Sequence, residues 1–378
     1  MNIRQLLSMA ATIPSSWSGA FGIVSPSTST FSSASTPARE ISQLSWFVLT
    51  VTLGIFAVMT CLIVYALVRF RAKPGDRVEP PQVYGSIQIE LAWTVIPILL
   101  LVVLSLGSAR ILFSIQDARK PASAINVIVI GHQFWWEFHY PQFNVVTANE
   151  LHVPLSSPNA PIPTFMTLTS ADVMHSFWVP QLAGKTDLLP NRVNQMWIDP
   201  QRLGLYEGQC AQFCGIEHAK MLLRIYVDQP EQFQRWIADQ QRKQSELPDA
   251  PTTKGAGIPG QAADPSPNLR STSFIPLTHP LDRALAIDPI VGQYVFEHQA
   301  CINCHTVNGT VANGRFGPDL THLMSRDTLA AGVVPNNPAN LKAWITDPNQ
   351  FKPGCLMPAM HLTDRQNAQI TAYLLTLK

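Results

Sequence analysis

One short stretch of the chain concentrates side chains that bind metal ions: Cys210-Ala211-Gln212-Phe213-Cys214-Gly215-Ile216-Glu217-His218-Ala219-Lys220-Met221. Zinc would accept the two cysteines and the histidine, but methionine sulfur is not one of its usual ligands. Thiolate, imidazole and thioether together are the donor set that selects copper. The stretch therefore predicts a copper site. A zinc site and a Cys210–Cys214 disulfide are the alternatives, and neither explains Met221.

A metal ion held by this stretch needs a further ligand from elsewhere, and His175 is the candidate. It lies in residues 169–180, an apolar run with β-branched and aromatic side chains that predicts a strand or a strand end. A lone histidine in such a run is often a hydrogen-bonded core residue, which is the alternative interpretation. The nearby cysteine stretch favours the ligand.

Length and composition indicate a membrane protein of several domains. The chain has 378 residues, of which 46% are hydrophobic and only 13% charged, so two or three domains with membrane segments are expected. The formal net charge of +1 implies no nucleic-acid partner. The six cysteines are not spaced as a disulfide framework, and their paired spacings indicate cofactor binding; they are Cys61, Cys210, Cys214, Cys301, Cys304 and Cys355.

Two uncharged runs predict a transmembrane helical hairpin within residues 41–115. The first helix is expected at about residues 44–68, and the second at about 91–112 with Pro97 inside it. A helix of the first length rises about 37 Å, which exceeds a hydrocarbon core of about 30 Å. Basic residues crowd the intervening loop and place it in the cytoplasm, so both termini lie outside; they are Arg69, Arg71, Lys73 and Arg77.

Two further segments have the composition of poorly ordered chain. Residues 1–40 are rich in Ser, Thr, Ala and Pro and are expected to form a disordered tail. Arg4 before an apolar run is typical of a secretory signal, although Pro14 interrupts the run. Residues 239–286 are rich in Pro, Gly, Ser and Gln and predict a flexible linker, which would hold the following domain at an effective concentration on the order of millimolar.

Residues 120–238 are predicted to form an all-β domain. Short β-rich runs, such as residues 126–130, 164–169 and 222–227, alternate with Pro and Asn turns. This pattern is typical of a β-sandwich or β-barrel.

Residues 287–378 carry Cys301-Ile302-Asn303-Cys304-His305, the attachment pattern of a c-type haem. Two thioether bonds would join the cysteines to the haem, and His305 would bind the iron. The sixth iron ligand is Met357 or Met360; Pro358 favours Met357, because a following proline holds the chain extended. Near the end of the chain, Thr363 is predicted to cap a helix. The apolar face of that helix consists of Ile370, Tyr373, Leu374 and Leu377.

These motifs resemble subunit 2 of the haem-copper cytochrome c oxidases, of the caa type in which a copper A domain is fused to a cytochrome c domain. The phrase at residues 90–97 resembles the start of the second membrane helix of that family, and residues 317–320 resemble class I cytochromes c. The resemblance runs from about residue 41 to the end. It implies a cupredoxin-like Greek-key barrel for the β domain and an all-α class I cytochrome c fold for the last domain.

The resemblance also implies a dinuclear copper A centre. His175 and His218 would each bind one copper, and Cys210 and Cys214 would bridge the two ions. Met221 and the backbone carbonyl of Gln212 would be the weak ligands. Many family members have Glu at the position of Gln212, whose carboxylate reaches a magnesium ion at the subunit 1 boundary; a glutamine does not supply that carboxylate.

An aromatic cluster precedes the predicted ligands, and it includes Phe134, Trp135 and Trp136. Its plain interpretation is core and interface packing. The resemblance implies a place where electrons enter, because family members commonly carry Trp where Phe134 stands. Either Trp135 or Trp136 would serve instead, or the donor would approach differently. Phe177 and Phe213 are expected to keep water from the copper. Lys185 and Asp187 match a family segment that faces subunit 1.

The implied function is the subunit through which electrons enter a terminal oxidase. Electrons from a cytochrome c-type donor would pass through haem c and copper A to haem a of subunit 1, where oxygen is reduced to water. Expected partners are subunits 1 and 3, the donor and membrane lipid. The expected location is the bacterial plasma membrane, with both C-terminal domains outside. The alternative is a membrane-anchored copper A and haem c carrier that serves a different reductase.

Overall fold

The computed structural model describes residues 29–71, 75, 82, 84–242 and 287–378. They form two long helices, a β-sandwich and a small helical domain. The predictions for residues 1–28, for Lys73 and Arg77, and for most of the linker (243–286) lie outside the described residues.

The two long helices are α1 (Thr36–Arg69) and α2 (Ile87–Gln116), with mean hydropathies of 2.6 and 2.4 in their most apolar windows. Both are long and apolar enough to cross a membrane, and their apolar side chains point outward along most of their length. The hydroxyl of Ser114 donates to the carboxylate of Glu40, which joins the end of α2 to the start of α1. Each helix is several residues longer than the apolar run that predicted it, because polar turns extend it beyond the hydrocarbon.

The start of α1 corrects the prediction of a disordered tail to residue 40. Asp199, which follows the β-sandwich strand β8 described below, accepts hydrogen bonds from the hydroxyl of Ser35 (2.8 Å) and from the backbone N–H and hydroxyl of Thr36 (both 2.6 Å). A carboxylate in this position pairs with free N–H groups of the first turn and opposes the helix dipole. The cap comes from a residue 163 positions away in the chain, so local composition could not reveal it.

The β domain contains ten strands in two five-stranded sheets. The strands are β1 (Ile125–His132), β2 (Trp135–Tyr140), β3 (Val145–Ala148), β4 (Glu150–Pro154), β5 (Thr164–Ser170), β6 (His175–Trp178), β7 (Thr186–Leu188), β8 (Asn194–Ile198), β9 (Gly204–Cys210) and β10 (Leu222–Asp228). The sheet orders are β3-β2-β1-β5-β8 and β4-β10-β9-β6-β7, and helix α3 (Pro230–Gln241) follows β10. Strands predicted around residues 126–130, 164–169 and 222–227 are confirmed as β1, β5 and β10.

The core of the sandwich lies between the sheets and is rich in aromatic side chains. Burial alternates along β1, as expected of a strand with one face toward the core. Trp136 and Phe138 contact Phe177 edge-to-face, with ring centroids 5.5 and 6.4 Å apart. These contacts fix β2 against β6, the strand that begins with His175.

The last domain is mainly helical. Its helices are α4 (Pro289–Glu297), α5 (Cys301–Cys304), α6 (Pro338–Thr346) and α7 (Asp364–Leu374), with a two-stranded ribbon of β11 (Thr328–Leu329) and β12 (Val334–Pro335). A Cβ at Gly292 would lie only 2.0 Å from the carbonyl oxygen of Gln369, so α4 and α7 cross at a distance that requires glycine. The predicted cap at Thr363 is confirmed. The predicted apolar face is confirmed as well, because its four residues on α7 and just after it are all buried.

The helical domain packs against the β-sandwich. The backbone N–H of Leu222 donates to the carbonyl of Ala331 (3.2 Å), and the ammonium of Lys220 donates to the carbonyl of Phe351 (2.7 Å). The two domains therefore share a direct interface beside the segment of residues 210–221.

Candidate functional site

The structure brings the six predicted copper donors together. Cys210 Sγ lies 3.1 Å from the carbonyl oxygen of Gln212, 3.9 Å from His175 Nδ1 and 3.9 Å from Cys214 Sγ. Cys214 Sγ lies 3.6 Å from His218 Nδ1 and 3.8 Å from Met221 Sδ. Each thiol thus has its own imidazole, and the two thiols lie side by side.

Three backbone elements hold these donors. His175 begins β6, Cys210 ends β9, and residues 211–221 return the chain to β10. The N–H of Cys210 donates to the carbonyl of Met221 (3.0 Å), and the N–H of Ala211 donates to the carbonyl of Ser176 (2.9 Å). These bonds close the ligand loop at its base and join it to the strand of His175.

His175 is a fully buried side chain whose orientation is fixed from two sides. Its Nε2 lies 2.8 Å from a carboxylate oxygen of Asp172, which leaves Nδ1 directed toward Cys210. A Cβ at Gly131 would lie 2.8 Å from the His175 ring, so only glycine fits beneath it. Burial by itself lowers the pKa of His175, but the hydrogen bonds to Asp172 and Cys210 outweigh burial and raise it. A carboxylate that orients a ligating histidine is a common feature of metal sites.

Asp172 is a functional residue that the sequence analysis missed. Its carboxylate also accepts from the backbone N–H of Gln133 (2.7 Å), and the Gln133 side chain donates to the carbonyl of Cys214 (2.6 Å). The only local signal was a carboxylate three residues before a candidate ligand histidine. The Gln133 contacts depend on tertiary structure and leave no such signal.

The two thiols interact strongly with each other. The hydrogen bond between the two thiols lowers the pKa of Cys210, and the same contact raises the pKa of Cys214. Thiolates are the form that binds metal, so bound cations would favour the loss of both thiol protons.

The donor set fits copper. Two ligands placed about 2.0–2.3 Å from one tetrahedral ion lie roughly 3.3–3.8 Å apart, which is close to the contacts among these atoms. Among the described residues, the group of buried His and Cys donors within 4.8 Å of one another is His175, Cys210 and Cys214. The thioether of Met221, wholly buried beside Cys214, is a donor that copper sites use and zinc sites do not.

The two predicted shielding residues behave differently. Phe177 is buried in the core beneath the ligands, as expected. Phe213 is 75% exposed, with its ring edge-on to His218 at 5.8 Å, so the expectation that it covers the copper within this chain is wrong. Its position at the tip of the ligand loop turns it toward the surface.

The helical domain encloses a second site, an apolar cavity of about 450 Å³. Its wall includes Cys301, Cys304, His305, Met357 and Met360, so the structure brings the predicted haem residues together. His305 Nδ1 lies 2.8 Å from the carbonyl oxygen of Pro318, which leaves Nε2 available to iron. Burial lowers the pKa of His305, and this favours the neutral imidazole that binds metal.

A haem fits this cavity. The wall is mainly apolar, as a porphyrin requires, and it also contains the buried cation Arg326. Within the described part of the chain, Arg326 Nε has no hydrogen-bond partner. Its Nη2 donates to the backbone carbonyl of Asp319, so Nε is the guanidinium atom left without a partner. A buried guanidinium with an unpaired N–H beside the cavity suits an anionic group such as a haem propionate. Met357 and Met360 both line the wall, so the choice of Met357 as the iron ligand stays a prediction.

The aromatic cluster is divided between interface and core. Phe134 and Trp135 line the haem cavity from the β-sandwich side, together with Gln133 and Asn149. Trp136 is wholly buried between the sheets, 6.1 Å from the His175 ring. Phe134, Trp135 and Trp136 are all buried within this chain, so none of them is a surface residue, which corrects that part of the prediction.

Three segments of the chain match known protein families. Residues 25–111 match the transmembrane domain of cytochrome C oxidase subunit II, residues 157–227 match its periplasmic domain, and residues 291–378 match cytochrome c. Cytochrome c oxidase subunit 2 of Alkalihalophilus pseudofirmus is 30% identical over 89% of this chain and 88% of its own length. The chain belongs to the cytochrome c oxidase subunit 2 family. Cytochrome c oxidase subunit 2 of Bacillus sp. strain PS3 is also 30% identical, over 82% of this chain and 80% of its own length.

A solved structure of the periplasmic domain of subunit II of cytochrome oxidase from Bradyrhizobium japonicum is 26% identical. It covers 32% of this chain and 95% of its own, with a TM-score of 0.30.

Membership in the cytochrome c oxidase subunit 2 family assigns the broad function. The chain is a membrane-anchored subunit of a haem-copper oxidase complex, with its copper and cytochrome c domains on the periplasmic side. It binds copper and haem c, and electrons enter the oxidase through it. This favours the oxidase over the alternative of a carrier that serves another reductase.

Proposed function

We propose that this chain holds a dinuclear copper A centre on Cys210 and Cys214. The observation that carries the proposal is that the two thiols lie 3.9 Å apart, each beside a different imidazole. Both thiolates would hold the two ions, and His175 and His218 would supply one imidazole to each. The carbonyl of Gln212 and the thioether of Met221 would be additional, weaker ligands.

The proposed haem attachment uses the other cavity. Cys301 and Cys304 would form the thioether bonds, and His305 and Met357 would bind the iron. The haem supplies a one-electron couple, and the chain supplies its position and an apolar surrounding that excludes water. Met360, on the same wall, would then be an apolar contact of the haem.

The proposed direction of electron flow follows from the order of the two sites. The haem cavity is walled in part by the turn at Gln133 and Phe134, and that turn is hydrogen-bonded to the copper ligand loop through Cys214. Electrons that reach the cytochrome domain from a cytochrome c-type donor would therefore cross this wall to the copper centre. Phe134 and Trp135 are the side chains in the wall.

The proposed acceptor is haem a of subunit 1, with subunit 3 as a further partner. Support comes from the exposed charges Lys185 and Asp187 around β7 and from the exposed ring of Phe213 beside His218. An aromatic side chain left in solvent next to a metal ligand is expected where a partner protein covers it. The proposed domains are the membrane hairpin (41–115), the β-sandwich (120–238) and the cytochrome domain (287–378). The ordered residues before position 41 belong to the first of these.

Metal analysis combined with electron paramagnetic resonance tests the copper proposal. The purified full chain in detergent should contain two coppers per haem, and its oxidised form should show one unpaired electron shared between two copper nuclei. His218→Ala should destroy the shared signal, whereas His298→Ala, in the exposed part of the cytochrome domain, should preserve it. A copper-to-haem ratio of one, or the spectrum of a single-copper site, would exclude a dinuclear centre.

A further inference from the structure

Two buried charged side chains lie in the interface between the β-sandwich and the cytochrome domain. They are Lys352, which is 3% exposed, and Glu150, which is 2% exposed. We propose that Lys352 and Glu150 are positioning residues that hold the cytochrome domain in one fixed orientation, with its haem cavity closed by the turn at Gln133, Phe134 and Trp135. This inference rests on the proposed transfer of electrons from haem c to copper and names the groups that set its geometry.

Lys352 belongs to the cytochrome domain, but its ammonium group forms its hydrogen bond with the β-sandwich. Its Nζ donates to the backbone carbonyl of Phe134 (2.8 Å), and the side chain lines the haem cavity. Burial lowers the pKa of Lys352 to about 8, while the nearby Glu217 carboxylate raises it in part. An amine is buried to this degree only when its hydrogen bonds are provided, so the contact with Phe134 must persist for most of the time.

Glu150 makes the reciprocal contact from the β-sandwich. One carboxylate oxygen accepts from the N–H of Asp327 (2.9 Å), and the other accepts from the N–H (2.8 Å) and hydroxyl (2.5 Å) of Thr328. Both oxygens are thus bound by the cytochrome domain. Hydrogen bonds to a charged acceptor are the strong class, and separation of the domains would remove all three at once.

The two contacts involve different segments of the cytochrome domain. Lys352 precedes the segment with Met357 and Met360, whereas Thr328 begins the ribbon of β11 and β12, and both residues line the cavity. At the same interface, Trp135 packs with Ala148 and Ala331 in a small buried cluster of its own. Two anchors on separate segments restrain rotation as well as separation, which a single anchor does not.

A fixed orientation has a consequence for electron transfer. Tunnelling weakens steeply as the gap between donor and acceptor widens, so the distance from the haem to the turn at Gln133 matters more than the average proximity of the domains. Two covalently joined domains without a fixed contact can adopt many relative orientations. Lys352 and Glu150 would select one arrangement that is competent for transfer.

Amide hydrogen exchange in the full chain tests the fixed interface without reference to activity. The reporter is the N–H of Leu222, which donates across the interface to Ala331 while both residues remain unchanged. Glu150→Gln and Lys352→Met should each speed its exchange about 10- to 100-fold, as expected when hydrogen bonds to a charged group are lost. The matched controls, Glu231→Gln and Lys342→Met, alter exposed residues of the same two domains and should leave it unchanged.

Electron transfer from photoreduced haem to copper is the second readout. In the wild-type chain its rate should not depend on solvent viscosity, because no domain movement precedes transfer. In Glu150→Gln and Lys352→Met the rate should fall and become viscosity-dependent, while the haem and copper spectra stay as in the wild type. Thr328→Val, which removes only one hydroxyl donor to Glu150, should shift both readouts in the same direction by a smaller factor.

The outcomes separate this inference from the proposed function. No transfer from haem to copper in the wild type would contradict the proposed function itself. Normal transfer with unchanged Leu222 exchange in both charge variants would overturn the assignment of Lys352 and Glu150. If a charge variant also loses protection of core amides in α7, it has unfolded, and Thr328→Val decides: a wild-type Leu222 exchange rate in that variant overturns the inference.

Discussion

The side chain of Gln133 donates a hydrogen bond to the backbone carbonyl of Cys214 over 2.6 Å, which joins the wall of the haem cavity to the copper ligand loop. A second link starts at the same residue, because the backbone N–H of Gln133 donates to Asp172 and Asp172 binds Nε2 of His175. One residue of the wall is thus connected to two of the proposed copper ligands. Neither connection involves a ligand atom.

Gln133→Leu should slow electron transfer from haem to copper severalfold while the copper spectrum is retained. The substitution removes the side-chain link to Cys214 but keeps the backbone link to Asp172. Flash photoreduction of the full chain measures the rate, and Gln195→Leu, on the exposed side of β8, is the control. A wild-type rate in Gln133→Leu would show that the hydrogen bond from Gln133 to Cys214 does not contribute to electron transfer.

Asp172→Ala should lower copper affinity about 10- to 100-fold, the usual effect of removing the group that orients a ligating histidine. Without the carboxylate, His175 is free to rotate and Gln133 loses its backbone partner. Competition with a copper chelator measures the affinity. Asp239→Ala, on the exposed face of α3, is the control, and equal affinities for the two variants would contradict the role of Asp172.

Met357→Leu should abolish the long-wavelength sulfur-to-iron band of the ferric haem and lower its reduction potential. Met360→Leu, a change of the same chemistry on the same cavity wall, should keep the band. The physical reason is Pro358, which holds the chain extended after Met357. Optical spectra of the two variants decide the question, and the opposite result would assign the iron to Met360.

Glu137 gives the β-sandwich a predicted dependence on pH. Burial raises the pKa of its carboxyl, but hydrogen bonds from His132 and His139 outweigh this and hold the pKa at about 2, below its ordinary value of 4.5. A depressed pKa stabilises the folded state above about pH 4.5, and this stabilisation is lost as the pH falls toward 2.

The measurement is thermal unfolding of the wild type and Glu137→Gln from pH 6 to pH 3. The wild type should be more stable at pH 5 and above, and the difference should shrink as the pH falls below about 4.5. A difference that stays constant down to pH 3 would contradict the pairing of Glu137 with the two histidines.

Most of the copper site could be predicted from the sequence because five of its six donors lie within residues 210–221. Spacing and donor chemistry suffice for such a compact motif. His175 required the additional assumption that a distant strand lies beside the loop, and the pairing of β6 with β9 supplies it. The haem attachment motif is equally local.

The interface could not be predicted in this way. Glu150 and Thr328 are 178 positions apart, and Lys352 lies 218 positions from Phe134, so no local pattern relates them. Composition also misplaced the start of α1, because its cap comes from Asp199. The exposure of Phe213 depends on the conformation of the ligand loop, which the residue types leave open.

Electron transfer from haem to copper within the chain is tested most directly by following a single electron in the purified full chain. An electron is placed on the oxidised haem by flash photoreduction, and the haem and copper absorption bands are followed together. We expect the haem to be reoxidised and the copper reduced with one shared rate constant that does not depend on protein concentration. Haem reoxidation that scales with protein concentration, or that leaves the copper band unchanged, would contradict electron transfer within the chain.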